Sequence, residues 1–378
     1  LTVYVSGFAQ KESRFLGLSE AVSTALKENK QAKLSQLEQQ IAASDYKKSD
    51  AFFLPRLSAS YTAMSTNNPL NVFGFKLQQQ SVTAADFDPT LLNNPPAQND
   101  FSAKIDLSIP LLNVDQLYMR KALSAQKEAT QYGVMRTKEY ITFEVKKAYL
   151  QLQLIYQQKK LLEEALNTAK SVYSSTERFF EQGLIRKPDV LNAKMHLSGV
   201  ETKLEKAKSS ISNASDYISV LMGQATGTNY LVEESSLSGS TNKTLPLERA
   251  DFKAMEKAVQ ASDMMLKSAR VSLLPRLNAF GNYQFNDSKL MGFNSKSYLV
   301  GAQLSWNIFN GTQTKRTIQS QKLTSDKLKE QYSSQLLQAQ MEWNQTKRDL
   351  NDISFELRQE SDIVQQASEA LRIIKDRY

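Results

Sequence analysis

"LPRLSASYTAM" at residues 54–64 and "LPRLNAFGNYQF" at residues 274–285 are nearly one phrase written twice, offset by 220 residues from Leu54 to Leu274. Each copy follows a helical-looking stretch and opens an alternating run. A phrase fixed at the same kind of junction signals an internal repeat, the first thing to seek in a sequence. Pro55 and Pro275 disfavour helix at the residue before them, so a helix ends at each phrase and a strand begins. Arg56 and Arg276 complete the two helix-to-strand junctions.

Four strands follow from the alternation. Over 57–65, Leu57, Ala59, Tyr61 and Ala63 point one way and Ser58, Ser60 and Thr62 the other. Over 101–109, Phe101, Ala103, Ile105, Leu107 and Ile109 oppose Ser102, Lys104, Asp106 and Ser108. Strands at 277–286 and 297–308 repeat the pattern, with exceptions at Phe280, Gly281, Leu299 and Gly301. A small soluble sheet packed on helices would alternate in the same way. Each strand is nonetheless long enough, at about 9–11 residues, to cross a bilayer when tilted. Two pairs at matching points of a repeat, apolar outside and polar inside, favour a membrane β-barrel.

Four strands cannot close a barrel, since the smallest bacterial ones use about 8. Open edges cannot face lipid, because their amides would go unsatisfied. Several chains must therefore share one barrel; three would supply twelve strands, and counting alone does not exclude two. Ser58, Ser60, Ser102, Lys104, Asp106 and Asn282 would line the lumen. The connection over 66–100, with "NNPLNVFGF" and "LLNNPPAQND", and the shorter "DSKLMGFNSK" suit an outside surface, their aromatics serving local packing.

Long helices occupy most of the rest. Ile141, Val145, Ala148, Leu152, Ile155, Leu162, Leu166, Ala169, Tyr173 and Phe180 alternate spacings of four and three, with Lys159 and Thr176 in the remaining slots. This is a heptad seam, the pattern that packs one helix along another. A helix over 114–182 would run about 100 Å at ~1.5 Å per residue. Gly183 breaks it and Pro188-Asp189 restarts a helix over 189–222. That helix carries matched rows Val190, Leu197, Leu204, Ile211, Ile218 and Ala193, Val200, Ala207, Ala214, Leu221, so an antiparallel hairpin is expected. From Ala339 to Tyr378, on a helix beginning near 311, Trp343, Leu350, Ile353, Leu357, Val364, Ala367, Leu371 and Ile374 fall in the register of the first seam, offset by 198 residues as Ile141 is from Ala339. The halves read as a structural duplication: 14–222 and 251–378, joined by a linker over 223–250.

Composition agrees with long elements: 13 Gly and 9 Pro in 378 residues, and no Cys to form disulfides or thiolate metal sites. The formal charge of +8 is spread along the chain, and nucleic-acid binding calls for a concentrated basic patch, so no nucleic-acid partner is expected. No apolar run is long enough for a transmembrane helix. "LTVYVSGFAQ", within residues 1–13, resembles the end of a secretory signal cleaved after Ala9, which implies export from the cytoplasm.

The order helix, "LPRL", strand pair, "SIPLLN" (108–113), very long helix, "RFFEQGLIRKPDVLNAKMHL" (178–197), then "QLSWNIFNG" (303–311) resembles the TolC-type outer-membrane efflux protein family, over residues 14–378. The resemblance implies a mostly α-helical homotrimer in the outer membrane, with a shared 12-stranded β-barrel continued by a long α-helical tunnel across the periplasm. It implies docking onto a periplasmic adaptor and an inner-membrane pump, and passive export without a cofactor. Arg178, Phe179, Gly183, Leu184, Asp189 and Val190 would form the periplasmic tip that meets the adaptor. Physically, Gly183 permits the turn, Leu184 offers an apolar knob and Asp189 can cap the returning helix. Asp376-Arg377-Tyr378 echoes Glu177-Arg178-Phe179 without a second Gly-Leu turn, so the second repeat reads as incomplete and no aperture gate is assigned.

Catalysis finds little support. The single His196 lies beside a seam residue, and the acidic pairs Glu163-Glu164 and Glu233-Glu234 sit on a helix face and in the linker. No nucleophile elbow, phosphate loop or metal-ligand cluster is present. A soluble coiled-coil scaffold and a periplasmic adaptor remain the alternatives to a conduit; both lack lipid-embedded strands.

Overall fold

The computed structural model describes residues 13–234 and 244–376. The signal remnant expected over 1–13 lies outside them except for Ser13, as do Arg377, Tyr378 and part of the linker. In chain order the elements are β1 (Ser13–Leu16), α1 (Leu18–Glu28), α2 (Lys30–Lys48), β2 (Arg56–Thr66), α3 (Pro69–Gln78), α4 (Pro89–Asn93) and β3 (Gln98–Leu112). Then come α5 (Val114–Glu181), α6 (Lys187–Leu221), β4 (Asn229–Val232), α7 (Ala250–Val271), β5 (Arg276–Asp287), β6 (Ser295–Ser305) and α8 (Gln313–Asp376). They gather into two compact units, Leu1–Gln40 with Thr130–Ala254, and Ile41–Ala129 with Met255–Tyr378.

In the first unit the α5 seam is the core. Ile141, Val145, Ala148 and Leu152 are buried against Ile211, Ile218 and Met222 of the α6 segment and Ala21 and Ala25 of α1. The expected linker contains β4, which pairs in parallel with β1, Ser13 opposite Asn229. The pair is pinned by hydroxyls: Tyr149 donates to the Leu16 carbonyl at 3.1 Å and Tyr156 to the Tyr230 carbonyl at 2.9 Å. The Tyr230 amide donates to Ser215 Oγ at 3.1 Å, which explains buried serines on an otherwise apolar face of α6. Asn29 interrupts the first helical stretch. Its amide donates to the Leu221 carbonyl at 2.8 Å while its Oδ1 caps the Gln31 amide at 2.8 Å.

In the second unit, β2, β3, β5 and β6 form one antiparallel sheet in that order. Arg56 stands opposite Ser108 and Arg276 opposite Ser305, so the two hairpins share one register. The ladder shifts between Pro110 and Leu112, where proline has no amide to give. Two expectations change here. The fourth strand, expected to reach 308, stops at Ser305, because β5 begins opposite it at Arg276 and offers nothing beyond. The 66–100 connection is not a plain loop: it holds α3 and α4, with Phe73 and Phe87 edge-to-face at 5.7 Å. Along α8 the seam residues Leu350, Ile353, Leu357, Val364, Leu371 and Ile374 are exposed, since no described element runs beside them.

Candidate functional site

The turn between α5 and α6 is built by backbone chemistry. Gly183 has φ +74°, a left-handed value that side chains resist. The Leu184 amide reaches the Phe179 carbonyl at 2.9 Å and the Gly183 amide the Phe180 carbonyl at 2.9 Å, a Schellman ending. The helix then restarts at Lys187 rather than 189, because Pro188 fits a first turn where its missing amide has no partner to lose. Asp189 is therefore third in the helix, and its carboxylate accepts back from the Arg186 amide at 3.1 Å. Arg178, Phe179 and Leu184 are exposed, Leu184 by 67%, and Val190 is half-buried. One turn before Arg178, the Tyr173 hydroxyl donates to Glu177 at 2.7 Å, which raises the phenol pKa. The turn thus brings five of the six tip residues to the surface around one apolar knob.

The second constellation is the polar face of the sheet. Register places Ser58, Asp106 and Asn282 on one rung and Ser60, Lys104 and Gln284 on the next. Ser102 stands on a third rung between Thr62 and Asn286. Lys104 and Asp106 pair at 2.8 Å, so the only side-by-side charges on these rungs cancel. The opposite face carries Tyr61, Ile105, Tyr283 and Tyr298 on neighbouring strands. One face is mainly polar, broken by Phe280 and Leu299, and the other mainly apolar, broken by Gly281 and Lys296.

The helix-to-strand junctions differ in their partners. Arg276 donates to Asp115 in the first turn of α5 at 2.6 Å, and Ser268 of α7 donates to the Asp115 carbonyl at 2.7 Å. Near Pro55, Arg120 of α5 reaches Asp50 at 2.7 Å. A cleft of about 550 Å³ lies at the second junction, lined by Leu274, Arg276, Trp306 and Asn310 among others.

At the far end of the sheet lies a polar hub that no local pattern announces. Asp100 is buried and accepts from Gln79 at 2.9 Å and from Asn286 at 2.9 Å, tying the α3 connection to β5. Asp86 is gripped by Lys76 first, then by the Thr83 amide at 2.7 Å and the Thr83 hydroxyl at 3.0 Å, which holds its carboxyl pKa down to about 2. Gln79 is adjacent to nothing that marks it in the sequence, so only the folded register reveals the hub. Among the described residues no group of three or more His, Cys, Asp or Glu could hold a metal ion, and no helix is long and apolar enough to cross a membrane.

The fold thus combines a long helical hairpin with a two-faced strand quartet. The chain belongs to the Outer membrane efflux protein family, whose model matches residues 21–224 and 244–378. Membership assigns it to the outer membrane as an efflux protein, with its long helices in the periplasm. Its fold is similar to that of VceC from Vibrio cholerae, with a TM-score of 0.80 and 17% identity over 96% of this chain and 85% of that one. It is also similar to the CmeC outer membrane channel of Campylobacter jejuni, with a TM-score of 0.70 and 19% identity over 85% and 68% of the two chains. The outer-membrane channel OprN gives 0.70 and 20% over 88% and 77%. No curated protein sequence matches the chain significantly.

Proposed function

We propose that this chain is the exit duct of a tripartite export system. Three copies contribute four strands each to one 12-stranded barrel, and their helices continue the passage through the periplasm. The observation that carries this reading is the sheet itself: one polar face, one apolar face and two unpaired edges in a member of an outer-membrane family. An open edge facing lipid leaves amides unsatisfied, so each edge needs another strand. In the closed barrel, Ser58, Ser60, Ser102, Lys104, Asp106 and Asn282 line the lumen. The duct holds no energy source; an inner-membrane pump drives cargo, handed on by a periplasmic adaptor that meets Arg178, Phe179, Leu184 and their neighbours at the α5–α6 turn. No catalytic step or cofactor enters.

The test is the native mass of the protein extracted in detergent from outer membranes, corrected for bound detergent. Three protomers are expected. A single protomer would remove the shared barrel and with it the duct.

A further inference from the structure

We propose that β6 continues through residues 306–309 along β2 of a second copy of this chain, with Ser305 opposite Ser60 of that copy. The inference rests on the shared-barrel reading and fixes which residues meet at its seam. It starts from the strand that ends early. β3 and β6 are counterparts, offset by 197 as Ser108 is from Ser305, and β2 and β5 are counterparts, offset by 220 as Arg56 is from Arg276. Beyond Ser108, the residues Ile109, Pro110 and Leu112 are paired by β5 alone. Their counterparts Trp306, Asn307 and Phe309 have no β5-like neighbour, so β6 stops at Ser305. The counterpart of β5 is β2, and β2 is the other free edge of the same sheet.

Carrying the β3–β5 register across the two offsets gives the seam. Ser108 opposite Phe280 becomes Ser305 opposite Ser60, and Ile109 opposite Ala279 becomes Trp306 opposite Ala59. Pro110 opposite Asn278 becomes Asn307 opposite Ser58, and Leu107 opposite Gly281 becomes Leu304 opposite Tyr61. Polar meets polar and apolar meets apolar on these four rungs, next to the end of β6. A slip of one residue would turn each side chain to the wrong face.

Cysteine pairs test the register, in a protein with no cysteine of its own. Within one chain β2 and β6 are three strand spacings apart, about 14 Å at ~4.8 Å each, beyond a disulfide. Any bond between them therefore joins two chains. The variant Ser60→Cys with Ser305→Cys should give a covalent ladder ending at three chains under mild oxidation in the membrane. Pairs one rung off, Ser58→Cys or Thr62→Cys with Ser305→Cys, should react at least about tenfold more slowly, since diagonal neighbours lie ~7–8 Å apart. Faster bonding by an off-rung pair would overturn the register. No bonding by any pair in a protein of trimeric mass would overturn the seam while leaving the shared barrel standing; a monomeric mass would remove both. In the unmodified protein, alternate amides over 306–309 should resist hydrogen exchange, and free exchange at all of them would also overturn the extension.

Discussion

Leu184 shows how little of a tip is chemistry and how much is backbone. The two hydrogen bonds of the Schellman ending and the positive φ of Gly183 hold the chain so that an apolar side chain faces water with nothing of its own unit to cover it. Surface substitutions remote from structural features usually change stability by less than about 0.5 kcal/mol. Leu184→Asp should therefore leave the thermal midpoint and the native mass unchanged while lowering export at least several-fold, read as restored sensitivity to an exported compound. Undiminished export by that variant would take Leu184 out of the docking contact. Gly183 and Leu184 were legible in the sequence because a glycine between two heptad seams has few other meanings. Asp189 was legible in kind but not in place: the helix starts at Lys187, so the carboxylate closes back on Arg186 from the third position. Asp100 was not legible at all, because its partners Gln79 and Asn286 come from distant segments and only the sheet brings them together.

At the scale of elements, periodicity carried most of the reading. The heptad slots of α5 predict burial, and Ile141, Val145, Ala148 and Leu152 are buried. Leu152 is 0% exposed in a core shared with α1 and α6, so Leu152→Ala should destabilise the protein by about 2–5 kcal/mol, seen as a lowered thermal midpoint. A loss below about 1 kcal/mol would mean that this core collapses around the gap. The equivalent slot on α8, Leu350, is 48% exposed, although the sequence writes the two seams alike. Pattern states which face seeks a partner, and not which partner is there. The same limit explains β1 and β4. Four-residue strands carry too few alternations to be read, and their pairing is a long-range contact that no local pattern encodes.

For the whole molecule, the duct reading has an electrical consequence. Lys104 and Asp106 cancel on alternate positions of β3, on the same face, so a ring of such pairs would add little net charge to the lumen. Lys104→Ala would leave one uncompensated carboxylate per protomer. In planar bilayers under a salt gradient, its reversal potential should shift towards cation selectivity relative to the unaltered protein, most clearly at low ionic strength where screening is weak. An unmoved potential would place the pair off the conduction path. The division of the sheet into two faces was plain from alternation, whereas the cancelling pair required the register.

The parallel contact of β1 with β4 also sets an order of events. Ser13 and Asn229 meet across 216 residues of chain, and contacts so distant in sequence form late because the intervening loop must close first. Loop closure therefore predicts that Ser13–Leu16 pairs after the α5–α6 hairpin has formed from its own local turns, an order that pulse-labelled hydrogen exchange during refolding would show as later protection in β1 than in α6. On that order, Tyr149 and Tyr156 would receive the two strands like a clasp fastened after the garment is on.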